Sequence, residues 1–425
     1  MKKFLFSIFL LLGIFFILSS CSSDKTNAET DTSVDFDDTV AWDGSIADNF
    51  KEGDGSAESP YKISNASQLA YLAKQVNSGN SYSGKHFSIV TDIDLNNIEW
   101  TPIGNGRYSF EGYLDGNNHS VSNLNITKLI AYKKKYTQGT VTQGIAGLFG
   151  TCKDATISNL DICNASLSID TITHYDQLYI GTLVAHQESN VNSEIQNISV
   201  LNSNITCIEP ELSTNDQLRM YDNAYIGGVI GHLIIQNNSK FTMQQIHSTC
   251  TINNDSANSR SNLTGGIIGC INNYGDFSCS NFSNYTFVKF QPHNINYIGA
   301  FASISNHPEK TVSISKGFSK IKTNRQNDTI SSVNNIYQAL AIIGRTLQQK
   351  NSNETEDQTS FSFEELFGYV EVTKSGVNSN YGLYSLPEHI HYSETNCKIS
   401  EILPTDSDFD KNIWDLSDPH NPKIK

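Results

Sequence analysis

The chain has 425 residues, with 29 Lys or Arg against 44 Asp or Glu, a formal net charge of −15. That balance works against polyanionic partners, nucleic acid and anionic lipid head groups above all. The length allows a large core, and internal repeats would let one domain use all of it.

The N-terminus comes first. Lys2 and Lys3 precede a nearly unbroken apolar run, Phe4 to Leu18. The run falls short of the about 20 residues a spanning helix needs and has the form of a signal-peptide core. It ends in Leu18-Ser19-Ser20-Cys21, which resembles a lipobox: an aliphatic residue, two small residues and the cysteine that takes diacylglycerol. The expectation is a signal peptide over 1–20, lipidation of Cys21, and a membrane partner held through that lipid. Each buried methylene adds about 0.8 kcal/mol, so several acyl chains anchor firmly without a transmembrane helix. Ser22, in place of an aspartate, favours the outer membrane, with the body facing the cell surface. The polar, acidic stretch 21–41 reads as a tether, too poor in large apolar residues to fold.

Residues 42–99 read as an opening cap segment. Its one strong helical period runs from Ser67 to Asn77, with Leu69, Leu72, Ala73 and Val76 on one face. Asn65 or Ser67 would cap it and Gly79 would stop it.

From residue 100 to about 344 the chain repeats itself. A glycine-bracketed apolar step recurs at Ala146–Gly150, Gly181–Ala185, Gly227–Gly231, Gly265–Gly269 and, worn, at Gly299–Ala302. The starts are 35, 46, 38 and 34 residues apart, in or near the range of solenoid repeats. A further copy is expected at Ala341–Gly344. A second element, apolar-x-Asn-apolar-x-apolar, keeps step at Val121–Ile126, Ile157–Ile162 and Ile195–Val200, with a diluted copy from Met243. Laid over one another, these copies place Asn125, Asp161 and Ser199 in one outward column. Short apolar alternations make strands with one buried face, glycines allow corners, and stacked asparagines can hydrogen-bond along a ladder. The fold class expected is all-β: a right-handed parallel β-helix with an N-terminal helical cap segment. The C-terminal cap segment would be 345–425.

Trp100-Thr101-Pro102-Ile103-Gly104, then Phe110-Glu111-Gly112-Tyr113-Leu114-Asp115-Gly116-Asn117-Asn118-His119, then Val121–Ile126 and Gly147-Leu148-Phe149-Gly150, resemble the GLUG-repeat proteins. Gly53-Asp54-Gly55, Ser59–Ile63, Leu69–Leu72 and Thr91–Leu95 are similar to that family's opening segment, and Asp408-Phe409-Asp410 with Ile413-Trp414-Asp415 and Asn421-Pro422-Lys423 to its closing one. The resemblance implies a right-handed β-helix on secreted or surface proteins with adhesion or display roles. Related modules stand on the N-terminal side of IgA-cleaving metalloproteases. This chain lacks their His-Glu-x-x-His zinc motif.

No Gly-x-Ser-x-Gly elbow, phosphate-binding loop or paired Cys-x-x-Cys is present. Seven cysteines besides Cys21 (152, 163, 207, 250, 270, 279 and 397) read as small buried strand residues, with one or two disulfides as the alternative. Lys133-Lys134-Lys135 reads as a solvated loop, and His119 as a turn histidine bonded to backbone. Asp406, Asp408 and Asp410 are spaced like the start of a calcium loop, but Lys411 stands where such loops need glycine and Ser417 where they need glutamate. An acidic surface turn is expected there, with structural calcium as the alternative and no other cofactor. Asp38-Thr39-Val40, Asp170-Thr171-Ile172, Asp255-Ser256-Ala257 and Asp328-Thr329-Ile330 fit a short O-glycosylation pattern.

The function expected is that of a surface-anchored, non-enzymatic lipoprotein, an adhesin-like module for host glycan or protein. No catalytic residues are assigned. The first alternative is a carbohydrate-active enzyme on the same fold, a lyase or hydrolase. The second is an accessory subunit of a surface or fimbrial assembly.

Overall fold

Each repeat lays down the same three strands in the same order. In one repeat, Tyr221–Gly227 joins a first sheet, Ile230–Ile235 a second, and the long strand Lys240–Asn254 a third. The repeats before and after supply Tyr175–Gly181, Val184–Ser189 and Ser193–Ile208, then Ser261–Gly265, Ile268–Asn273 and Asp276–Phe290. Every one of these strands pairs in parallel with its equivalent one repeat away. The computed structural model describes residues 41–136, 139–170, 175–208, 221–254, 261–290, 296–299, 301–306, 310–323, 337–340, 343–348, 360–372, 391–395, 398–399, 414–415 and 423–424. Among them the fold is mostly β, with parallel sheets and one helix. Residues 41–425 fall in one compact unit.

The glycine step turns the chain from the first sheet to the second, and the copies lie in register: Gly181 opposite Gly227, Gly227 opposite Gly265, Gly265 opposite Gly299. The turn is tight enough that the backbone itself fills the space. A Cβ built on Gly227 would overlap the Ile230 carbonyl oxygen and sit 2.7 Å from the Gly269 amide nitrogen.

In the long sheet, alternation sends Leu114, Ile157, Ile195, Met243, Cys279, Ile314 and Phe363 inward as one buried column. Each such side chain stabilises the stack by about 1.5–3 kcal/mol, and no single coil could bury it alone. The expected asparagine ladder is present: Asn197 Nδ2 donates to Asn159 Oδ1 at 2.9 Å and to Asn118 Oδ1 at 3.0 Å. Asn159 and Asn197 both take left-handed backbone, as do Gln245, Asn281 and Lys316, which follow them in register. Asparagine tolerates that conformation best among residues with a side chain. The motif survives where the conformation and the ladder coincide, and fades where only the conformation persists.

Three expectations of position need correction. Asn125 lies opposite Ser166, while Asp161 lies opposite Ser120 and Ser199. The reason is a bulge: Asn117 and Asn118 take φ of 48° and 61°, and the register slips between Asp115 and His119. Leu114 thereby meets Ile157, and the copy at Val121–Ile126 sits further along its coil than its sequence suggests. His119 accordingly belongs to the strand Tyr113–Ser122, not to a turn. Lys133–Lys135 also lie on a strand, Ile130–Tyr136, which pairs antiparallel with Gly139–Ala146 at the end of the first sheet. Lysines on an edge strand hinder further strand addition.

The helix runs Ala66–Asn77, one residue earlier than expected. Asn65 caps it, its Oδ1 accepting from the Gln68 amide at 3.0 Å, and Gly79 follows with φ of 110°. Trp100 and Phe110 of the resemblance are buried, and the Trp100 indole donates to the Leu148 carbonyl at 3.0 Å. Past residue 344 the long sheet continues through Ser360–Val372 and His391–Thr395. A terminal pair, Trp414–Asp415 with Lys423–Ile424, is antiparallel, and Lys423–Ile424 lies against Lys240–Asn254 and Asp276–Phe290. Of the six described cysteines, five are buried and Cys163 is half-buried.

Candidate functional site

The outer face of the long sheet carries the polar side chains that alternate with the core columns. At its N-terminal end the register aligns His86, Tyr113 and Thr156 in one row and Ser88, Asp115, Ser158 and Gln196 in the next. These rows line a cleft of about 380 Å³. His86 stacks flat on Tyr113, with ring centroids 4.5 Å apart and planes 10° from parallel. Tyr113 is 42% exposed, one of three large apolar side chains in the open among the described residues. Asp115 is held by the Asn117 amide at 2.8 Å and by Asn159 Nδ2 at 2.9 Å. Asn117 Nδ2 donates in turn to the Ile89 carbonyl at 2.8 Å. The bulge therefore fixes acceptors beside an aromatic platform. That arrangement suits a ligand with apolar faces and hydroxyl edges.

Just past the bulge stand two carboxyl groups in contrasting settings. Asp92 accepts from the Ser120 amide at 2.8 Å and lies 3.4 Å from His119 Nδ1. The Ser120 amide bond holds its carboxyl below the usual range. Asp161 is half-buried, and burial pushes its carboxyl up, against a hydrogen bond from Ser199 and with the charge of Asp92. Carboxyls tuned apart in this way can divide acid and base roles. His119 thus faces a carboxylate, a partner not foreseen from its sequence neighbours.

A third cluster was invisible in the sequence. Between the outer faces of the two shorter sheets, His232 lies parallel to Tyr179, with centroids 5.0 Å apart and planes 7° apart, and stacks on Tyr225 at 4.7 Å. His186 Nδ1 and His232 Nδ1 share a hydrogen bond of 3.1 Å. Burial holds His186 down to about 3, helped by Lys134, and holds buried His232 well below its ordinary value. Both rings are neutral at physiological pH. His186 and His232 are 46 residues apart, and only the register of the second sheet brings them together.

Among the described residues no three His, Cys, Asp or Glu side chains converge as metal ligands. Cys21, with its signal segment and tether, and Asp406, Asp408 and Asp410 lie outside the described residues, as do Cys397 and the expected glycosylation segments at 38, 255 and 328.

No family model matches the chain. It is 27% identical over 139 residues to halomucin of Haloquadratum walsbyi, covering 30% of this chain and 1% of halomucin. It is 31% identical over 130 residues to a provisionally named Gly-rich membrane protein of Evansella cellulosilytica, covering 29% of this chain and 13% of that protein. The chain therefore spans only a small part of either relative. Among solved structures it is similar to a protein of Bacteroides ovatus provisionally assigned as an immunoglobulin A1 protease. That likeness has a TM-score of 0.54 at 16% identity, covers 88% of this chain and 95% of the other, and concerns the fold.

Proposed function

We propose that the chain is a lipid-anchored lipoprotein of the outer membrane whose GLUG-like, right-handed parallel β-helix binds glycan or host protein at the cell surface and does not cleave it. Strands that rotate through three parallel sheets support the β-helix, and parallel crossovers are right-handed in about 98% of cases. The membrane-protein relative agrees with a surface location. The observation that carries the reading is the Tyr113–His86 platform beside the fixed Asp115 and Asn117, open to solvent on the long sheet. An array of glycans and host proteins probed with the full-length protein tests it. Tyr113→Ala should weaken the strongest interaction about tenfold or more, as loss of an aromatic anchor commonly does. Undiminished binding would move the contact elsewhere.

The anchor has its own test. Cys21→Ala should abolish incorporation of labelled fatty acid and release the protein from the membrane fraction, since the Cys21 thiol is the atom that would take the diacylglycerol in the sequence Leu18-Ser19-Ser20-Cys21. Equal label on the variant would remove the anchor from the account.

The Asp92 and Asp161 pair favours the hydrolase or lyase reading instead. Incubation with acidic and neutral polysaccharides decides between them. Chain cleavage lost in both Asp161→Asn and Asp92→Asn would make the protein an enzyme.

A further inference from the structure

The charge of the chain is not evenly spread. Residues 277–327 hold six Lys or Arg against one Asp or Glu, within a chain of net charge −15. The long-sheet strands of this segment place three of those lysines on the outer face. Thr249, Tyr285 and Lys320 lie opposite one another in one row, and Asn204, Thr251, Phe287 and Lys322 in the next. Lys289 sits 5.4 Å from the centre of the Phe287 ring. The rows line a cleft of about 460 Å³, within the range of small-ligand sites, about 300–1,000 Å³. It opens beside the irregularity between Val200 and Ser203, where the sheet changes register. In the backbone register of the next strand, Tyr369 lies opposite Lys320 and Glu371 opposite Lys322.

We infer that this cleft binds a short stretch of anionic glycan, bearing carboxylate or sulphate groups. The inference rests on the ligand-binding reading of the outer face and names the ligand chemistry of a second site on it. Ammonium groups attract the anionic substituents. Half-buried Tyr285 and Phe287 offer apolar surface to sugar-ring faces, and Asn204, Thr249 and Thr251 supply both donors and acceptors for hydroxyls. A protein whose overall charge has the same sign as the ligand can still hold it, because salt screens the remaining charge beyond about 8 Å. A long stiff polyanion such as duplex nucleic acid would instead run onto the acidic remainder.

The test uses the full-length protein in neutral detergent with four probes: polygalacturonate, dextran sulphate, uncharged dextran and single-stranded DNA. One or both anionic glycans should bind and neutral dextran should not. Which of the two binds tells carboxylate from sulphate. Binding should fall about tenfold or more in Lys320→Gln/Lys322→Gln, consistent with two lost charge-assisted bonds. It should survive in Lys320→Arg/Lys322→Arg and weaken as salt rises. Equal binding of neutral dextran, unchanged affinity in the double glutamine variant, or stronger binding of DNA than of either glycan would overturn the inference. If that happens while Tyr113-dependent binding persists, only this site falls. If no probe or array member binds at all, the broader reading falls with it.

Discussion

Gly227→Ala should destabilise the protein by about 3 kcal/mol or more, or prevent folding, since overlap in a close-packed core has no cheap relief. The methyl group would meet the Ile230 carbonyl and the Gly269 amide nitrogen. Both are backbone atoms tied into ladders that run in both directions, so neither can yield by a rotamer change. Gly265 stands in the same relation to the Ile268 carbonyl, and Gly265→Ala should behave alike. Chemical unfolding monitored by circular dichroism measures the loss. Val191→Ala, at a 57% exposed side chain, serves as the comparison and should change stability by less than about 0.5 kcal/mol. A well-folded Gly227→Ala of ordinary stability would mean that the corner is looser than its backbone contacts indicate.

The second large effect is on acid stability. His186 is held down to about 3 and His232 well below its ordinary value of 6.5, both mainly by burial. A histidine with a depressed folded value binds its proton in the unfolded chain first. Stability is therefore whole above about pH 6.5 and is lost as pH falls from there toward the folded values. The groups facing the pair are Tyr179, Tyr225 and Lys134, with Cys270 opposite His232 on the next strand, and none of them offers a carboxylate to a protonated ring. The loss between pH 7.5 and 4.5 should be about 3 kcal/mol, allowing for the exposed edge that His186 retains. Asp161 works the other way: its raised carboxyl costs stability as pH rises above 3.8, which blunts the net slope at the acid end. His186→Phe/His232→Phe keeps the ring stack and should flatten the dependence across this window. A wild-type protein equally stable at both pH values would show that the imidazoles take up protons as readily in the folded protein as in the unfolded chain.

The parts legible in the sequence are those where one residue type meets one physical demand in every coil. Gly181, Gly227 and Gly265 all face the same close approach to a backbone carbonyl, so the step could be counted and the three-sheet register follows it. The helix was legible because Leu69, Leu72, Ala73 and Val76 share one buried face. The register at the N-terminal end was not, because the Asn117–Asn118 bulge shifts the pairing without changing the motif. Nor was the core of the later coils. Ser248, Asn284 and Ser319 are buried, with Asn284 Nδ2 donating to Ser319 Oγ at 3.2 Å, and such residues read as outward positions in a simple alternation. The sites were harder still. His186 and His232, or Tyr113 and His86, are joined only by register across coils, which no local motif encodes. The reversed charge of residues 277–327 was the one signal of the lysine cleft available before folding.

The central claim is that ligand is held on the outer face of the long sheet. Hydroxyl-radical footprinting of the full-length protein, free and saturated with its strongest-binding array member, tests it most directly. The account predicts that Tyr113 or the Tyr285 and Phe287 pair loses reactivity on binding, while Ile46 and Val191, exposed away from the clefts, keep theirs. Protection confined to residues outside the long sheet, with Tyr113, Tyr285 and Phe287 as reactive in the complex as in the free protein, would contradict it.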